Sequence, residues 1–202
     1  MIRNLVAAFF AAAVVSLPMS ASATADPVRV RGSIASFSGD TLTVKTREGQ
    51  TVDIAFAPGW ALSSVSRAAI SDIKQGDYVG IASLPTQDGQ DGALEVVIFP
   101  PALKGTGEGS YGWDLKPNST MTNGTVANAV TNVNGQTVTV SYFGKEKEIA
   151  IPDGTPVVTF APATDADLKP GAEVFIAGEK DANGAITAQR VVVGTNGVAP
   201  PM

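Results

Sequence analysis

Glu108, Tyr111, Trp113 and Asp114 bring two carboxylates and two amphipathic rings into one short stretch of chain. Residues of these types can line a groove with aromatic walls and acidic anchors, a common use of long ordered loops. They lie in the segment from Pro100 to Thr122, where Gly and Pro collect and the alternation of apolar and polar residues stops. A flexible linker favours Gly, Ser and charge over Trp, whose large apolar surface is costly to expose. The segment is therefore expected to be ordered. Either Trp113 and Leu115 pack between the flanking domains, or Tyr111 and Trp113 form a ligand groove with Glu108 and Asp114 as its polar anchors.

Other motif-like patterns lose their chemistry when their context is read. Gly107, Gly109 and Gly112 match the dinucleotide pattern G-x-G-x-x-G. That pattern works by aiming a helix N-terminus at a pyrophosphate, and Pro117 leaves no room for the helix. Ser71 and Lys74 have the spacing of a Lys-activated serine nucleophile, but Ala166 stands at the repeated position of Ser71 and the companion motifs are missing. Glu179, Asp181 and Asn183-Gly184 resemble the front of a calcium loop. Its twelfth position is Arg190, where a bidentate Glu would be needed, so a hairpin turn is predicted.

Composition narrows the chemistry further. The 202 residues include no His and no Cys, which removes Ser-His and Cys-His pairs, the usual ligands of zinc, copper and haem, and any disulfide framework. An enzyme built on this chain would work through carboxylates, Lys or Tyr. Residues 1–25 hold one of the 14 Lys+Arg and none of the 19 Asp+Glu, so a chain starting at Asp26 carries a net charge of −6. Nucleic acid and anionic membrane surfaces would repel it, and no block of Lys or Arg offsets this locally.

The N-terminus reads as an export signal. Arg3 is the only charged side chain before Asp26, Leu5 to Leu17 is apolar, and Ala21–Ala23 and Ala23–Ala25 fit small-x-small cleavage. The apolar run is shorter than the ~20 residues that span a bilayer, and without Cys no lipid anchor is expected. The mature chain is thus expected in the periplasm, with no integral membrane segment after cleavage.

The elements that must position Trp113 and its neighbours come from an internal repeat. At an offset of 95 residues, nine identities fall in register: Gly49/Gly144, Ile54/Ile149, Gly59/Gly154, Asp72/Asp167, Lys74/Lys169, Gly76/Gly171, Val79/Val174, Ile81/Ile176 and Ala82/Ala177. Earlier in the chain the offset changes, matching Gly32–Ala35 to Gly124–Ala127 and Thr41–Val44 to Thr137–Val140. Within each unit the apolar period is two, the strand signature: Val28, Val30, Ile34, Leu42, Val44, Val52, Ile54, Phe56, Val79 and Ile81 in the first. Gly39-Asp40, Glu48-Gly49, Asn134-Gly135 and Asn183-Gly184 separate the strands as hairpin turns. Ile70–Asp77 and Asp165–Ala172 each read as one helical turn closed by Gly, leading into a fourth strand.

The series Gly124, Val126, Gly135, Thr137–Val140, Asp167–Gly171, Val174–Gly178 and Gly184–Val191 resembles exported bacterial envelope repeats classed as a domain of unknown function with an OB-like barrel. The resemblance covers the second unit well and the first loosely. The joining stretch Lys104–Asn123 is similar to one in exported proteins that carry the label of metal-transporter permease, a label that fails here because a permease needs several membrane spans. The resemblance implies a fold and a compartment and no activity.

The expectation is an all-β fold of two tandem small five-stranded OB-like barrels: residues 1–25 as signal, 26–99 as the first barrel, 100–122 as an ordered Gly/Pro-rich joining segment and 123–202 as the second barrel. The function expected is a non-enzymatic binding or assembly module of the envelope, without cofactor or metal, whose partner is an envelope protein or a small ligand. Two other readings remain open, a carboxylate-based carrier of hard metal ions and a carboxylate-based hydrolase of envelope polysaccharide.

Overall fold

The computed structural model describes residues 25–132 and 135–201. The expected signal, apart from Ala25, and Asn134 of the third hairpin turn lie outside the described residues. The described chain is all-β. In the first unit are β1 (Asp26–Phe37), β2 (Thr41–Thr46), β3 (Thr51–Ala68), β4 (Tyr78–Pro85) and β5 (Asp91–Phe99). A short β6 (Gly109–Gly112) belongs to the joining segment. The second unit supplies β7 (Thr120–Asn132), β8 (Gly135–Tyr142), β9 (Lys145–Pro152), β10 (Val157–Ala161), β11 (Glu173–Lys180) and β12 (Ile186–Gly194).

The strands pair across the repeat boundary. β1, β2 and β3 close into a five-stranded barrel with β12 and β11, through an antiparallel β1–β11 ladder and a parallel β3–β12 ladder. In the same order, β7, β8 and β9 pair with β5 and β4 of the first unit, and a short parallel contact at Asp91/Ile149 and Gly92/Ala150 completes that ring. Each ring therefore takes three strands from one unit and two from the other, where the sequence led us to expect each unit to close on itself. Because β4 to β9 are contiguous, the second ring is nested inside the chain of the first.

The length of β3 accounts for this. At about 3.3 Å per residue its 18 residues run to roughly 60 Å, more than one small barrel can use. Its start pairs with β2 and its end, Ser64–Ala68, pairs with β10, which itself lies parallel to β5. The chain is thus carried out of the first ring before β4 begins. Gly59 (φ 74°) sits where β3 bulges between its two contacts with β12, and the repeated Gly154 (φ 85°) marks the break between β9 and β10.

The repeat identities have local causes. Asp72 and Asp167 each accept a hydrogen bond from the main-chain N–H three residues earlier, of Ala69 (2.8 Å) and Thr164 (2.9 Å), capping the 3-10 turns Ile70–Asp72 and Asp165–Asp167. A side chain on Gly32 would collide with the carbonyl oxygen of Lys45, and one on Gly124 with that of Ser141 at 2.5 Å. Both positions are where the first strand of a ring crosses its second.

Three apolar clusters result. Leu42, Val44, Ile54, Ile176 and Val191 fill the first ring. Ile81, Val96, Val138, Val140 and Ile149 fill the second. Val65, Val97, Val158, Phe175, Val192 and Val198 form a third cluster between the rings, with Phe99, Trp113 and Phe160 at its edge. The alternation of each strand explains the division, since inward residues serve a ring and outward ones the seam.

Candidate functional site

The joining segment is built by local hydrogen bonds. Ser119, buried, donates from Oγ to the carbonyl of Lys116 (2.7 Å) or of Trp113 (3.0 Å) and accepts from the Lys116 N–H, while the Trp113 N–H donates to the Ser119 carbonyl (2.7 Å). Asn118 takes a positive φ of 63° to close this turn, a conformation Asn tolerates better than most residues. β6 pairs with β7, so Tyr111 and Trp113 are held against the second ring while facing strands of the first.

The structure separates the four residues singled out from sequence. Tyr111 and Trp113 meet edge to face at 6.1 Å and line a cavity of about 220 Å3. Glu108 turns away and accepts the Phe143 N–H (2.9 Å), holding the hairpin tip where Phe143 (φ 46°) is exposed. Asp114 accepts a hydrogen bond from Arg31 (2.7 Å) and lies 3.7 Å from Arg29. Burial pushes the Asp114 carboxyl up, but the Arg31 hydrogen bond and the charges of Arg31 and Arg29 outweigh it, leaving the group below the ordinary carboxylate value. Asp114 thereby positions the arginines that flank Trp113. Arg29 stacks over the indole at 4.2 Å and Arg31 lies 5.8 Å from it.

The cavity opens at the edge of the seam between the rings, and its walls come from both. Val97 and Phe99 of β5, Met121 and Asn123 of β7, Phe160 of β10, Phe175 of β11, Arg29 of β1 and Arg190 of β12 join Tyr111 and Trp113 around it. Two of these residues carry a buried polar atom with no hydrogen-bond partner among the described residues: the Trp113 indole N–H and the Asn123 side-chain oxygen. The Asn123 amide nitrogen is fully used, donating to the carbonyls of Gly107 (3.0 Å) and Thr106 (3.4 Å) and to the Tyr111 hydroxyl (3.2 Å), which fixes the oxygen on the opposite side. Buried polar groups left unpaired are uncommon, and each costs about 1–3 kcal/mol. Burial raises the Tyr111 hydroxyl, against the pull of Arg29, and raises Tyr78 to about 12, with Glu108 and Tyr111 adding to the effect.

Sequence reasoning missed Arg29, Asn123, Phe160, Phe175 and Arg190. The alternation of Arg29 and Arg31 against Val28 and Val30 was a usable signal, since it put both arginines on the outer face of β1. Nothing in sequence said which strands that face would meet.

At another part of the seam a larger cleft, about 450 Å3, is lined by Arg47, Arg67, Glu95 and the chain from Gly197 to Pro201. Burial raises Glu95 to about 7 against the charges of Arg31 and Arg47, and its Oε1 has no partner among the described residues. Among the described residues no group of three or more His, Cys, Asp or Glu could hold a metal ion, and no helix is long and apolar enough to cross a membrane. Asp181 instead closes its hairpin, accepting the N–H groups of Asn183 (2.9 Å) and Ala185 (2.8 Å).

No curated protein and no solved structure matches the chain. Residues 124–192, from β7 into β12 and so with strands in both rings, match the family described as a domain of unknown function, DUF5666.

Proposed function

We propose that the protein is a non-enzymatic binding module of the bacterial envelope that takes a small ligand into the cavity between its rings. One observation carries this reading: an open cavity of about 220 Å3 walled by the rings of Phe99, Tyr111, Trp113, Phe160 and Phe175, with Arg29 and Arg190 beside them. Ligand pockets are commonly apolar with a few placed polar groups, and they favour domain interfaces. The order of the strands around each ring supports an OB-like barrel, a fold often used as a binding platform. Arg29 and Arg190 favour an anionic ligand although the whole chain is acidic. The envelope assignment rests on the apolar run and cleavage pattern of residues 1–25.

The test uses 1-anilinonaphthalene-8-sulfonate, an apolar aromatic anion. One equivalent should bind, and Ala177→Phe, which fills the cavity from β11, should abolish binding while leaving the circular dichroism spectrum unchanged. Equal binding by a folded Ala177→Phe variant would overturn the site. For the compartment, mass spectrometry should find periplasmic chains beginning between Ala21 and Asp26, and full-length protein retained in the inner membrane would sink the assignment.

A further inference from the structure

Phe143 is the most exposed large apolar side chain among the described residues, at 71%. It sits in the two-residue turn that joins β8 to β9, where Tyr142 pairs with Lys145 and both Phe143 (φ 46°) and Gly144 (φ 71°) take positive φ. Such a turn favours Asn-Gly or Asp-Gly, and a bulky residue in the left-handed region strains the backbone. The strained turn is braced from outside, because Glu108 of the joining segment accepts the Phe143 N–H. The repeat shows that a turn here needs no ring: Glu48 stands before Gly49 where Phe143 stands before Gly144. An exposed ring and a strained backbone both cost stability, and no contact in the described chain buries the ring in return.

We propose that two copies of the protein associate face to face, each placing Phe143 in the cavity of the other, a step that rests on the reading of that cavity as a binding site. The knob lies beside the hole. A Cβ on Gly109 would stand 3.5 Å from Cε2 of Phe143 and 3.7 Å from Cδ1 of Tyr111, so the two rings flank one glycine, and Tyr111 is a wall of the cavity. A surface with a knob next to a hole is complementary to itself, and a twofold axis between them lets each copy fill the other. The size agrees. An apolar cavity of about 150 Å3 accommodates a benzene molecule, so about 220 Å3 takes a phenyl ring among Phe99, Phe160 and Phe175. The charges agree as well. Beside Phe143 stand Glu108 and the exposed Glu146 against one exposed cation, Lys145, whereas the cavity is edged by Arg29 and Arg190 and has no acid among its walls. A knob edged mainly by acids thus meets a hole edged by arginines, which favours this pairing and orients it. The partner's ring and a small ligand then compete for one space.

The experiment is sedimentation equilibrium of the full mature chain, run from about 10 µM to about 1 mM because so small an interface is weak, with and without 1-anilinonaphthalene-8-sulfonate. Wild type should dimerise reversibly, and saturating dye should return it to monomer. Phe143→Asn should raise the dissociation constant at least tenfold without lowering the melting temperature, because Asn suits a positive φ. Ala177→Phe, which fills the cavity, should raise the dissociation constant by at least as much. A wild type that stays monomeric throughout overturns the proposal, and so does a dimer that survives either substitution or saturating dye. A Phe143→Asn variant that melts well below wild type also overturns it, since the ring would then serve the fold. Dye bound to a protein that stays monomeric leaves the cavity standing as a site and removes only the self-association. A protein that neither binds dye nor dimerises loses both readings.

Discussion

The guanidinium of Arg29 lies 4.2 Å above the indole of Trp113. This contact ties the first strand of one ring to a joining segment that is hydrogen-bonded to the other, and places a cation at the cavity wall. Trp113 is half-buried against the seam cluster. Trp113→Ala should therefore cost about 2–3 kcal/mol in a urea titration, less than a fully buried Trp because part of the ring already faces solvent. Trp113→Phe should cost less than half of that. No loss of stability in the Ala variant would mean that the segment only rests on the seam.

Asp114 is nearly half exposed, so the bond to Arg31 adds little to stability. Asp114→Asn should lower stability by under about 1 kcal/mol. Its depressed carboxyl contributes stability that is present above the unfolded value of 3.8 and lost as pH falls through the lower folded value. Wild type and variant should therefore converge in acid melts as the pH falls below the folded value. A constant gap down to pH 2 would point to packing as the cause.

Glu95 works in the opposite sense. Its folded value of about 7 stands above the ordinary 4.5, so the protein is favoured while Glu95 is protonated and loses that advantage as pH rises from about 4.5 through 7. Partial exposure limits the effect to on the order of 2 kcal/mol. Glu95→Gln should be the more stable protein at pH 8.5 and close to wild type at pH 4.5. Parallel stability curves for the two proteins would show that Glu95 ionises normally.

The nesting of the rings makes two chain-cutting predictions. Trypsin cleavage at the exposed Lys104 should leave two fragments that co-elute under native conditions, because each contributes strands to both rings. Fragments that part without denaturant would contradict the strand pairing. Residues 69–161 contain every strand of the second ring, so this piece should melt cooperatively alone, whereas residues 121–202, with three strands of one ring and two of the other, should not reproduce the native near-ultraviolet spectrum.

Gly124→Ala places a methyl group against the Ser141 carbonyl with no room to yield, and should cost more than about 2 kcal/mol as overpacking. The nearby Gly112, which meets nothing within 4 Å, is the control and should change stability by less than about 0.5 kcal/mol.

Most of the strands, the turns and the two capped 3-10 pieces were legible in the sequence because each is written locally, in a period of two, in Gly and Asn at turns, and in Asp72 and Asp167, whereas β6, in a stretch without alternation, and β10, a sixth strand of the second unit, were not. The partnering of strands was not. Period two tells which face of β3 is apolar but gives no address for its partner, and β4 and β11 are alike enough (Val79/Val174, Ile81/Ile176) that neither exchange nor self-closure is preferred by pattern. The same ambiguity hid most of the candidate site. Trp113 was conspicuous as a Trp among glycines, whereas Phe160, Phe175 and Arg190 look like ordinary strand residues until β10, β11 and β12 are brought beside β5 and β1. Proximity in sequence alone suggests Glu108 and Asp114 as anchors of a groove. They serve instead the Phe143 hairpin and the arginines.

The nested order also fixes how the molecule carries a mechanical load. Both described ends of the chain leave the first ring, β1 by its start and β12 by its end, so tension between them passes through the β1–β11 and β3–β12 ladders before it reaches β4. The second ring lies outside the path of the force until the first is unzipped. In a stretching experiment on single molecules, the first ring should therefore give way first and the second should yield in a separate, later step.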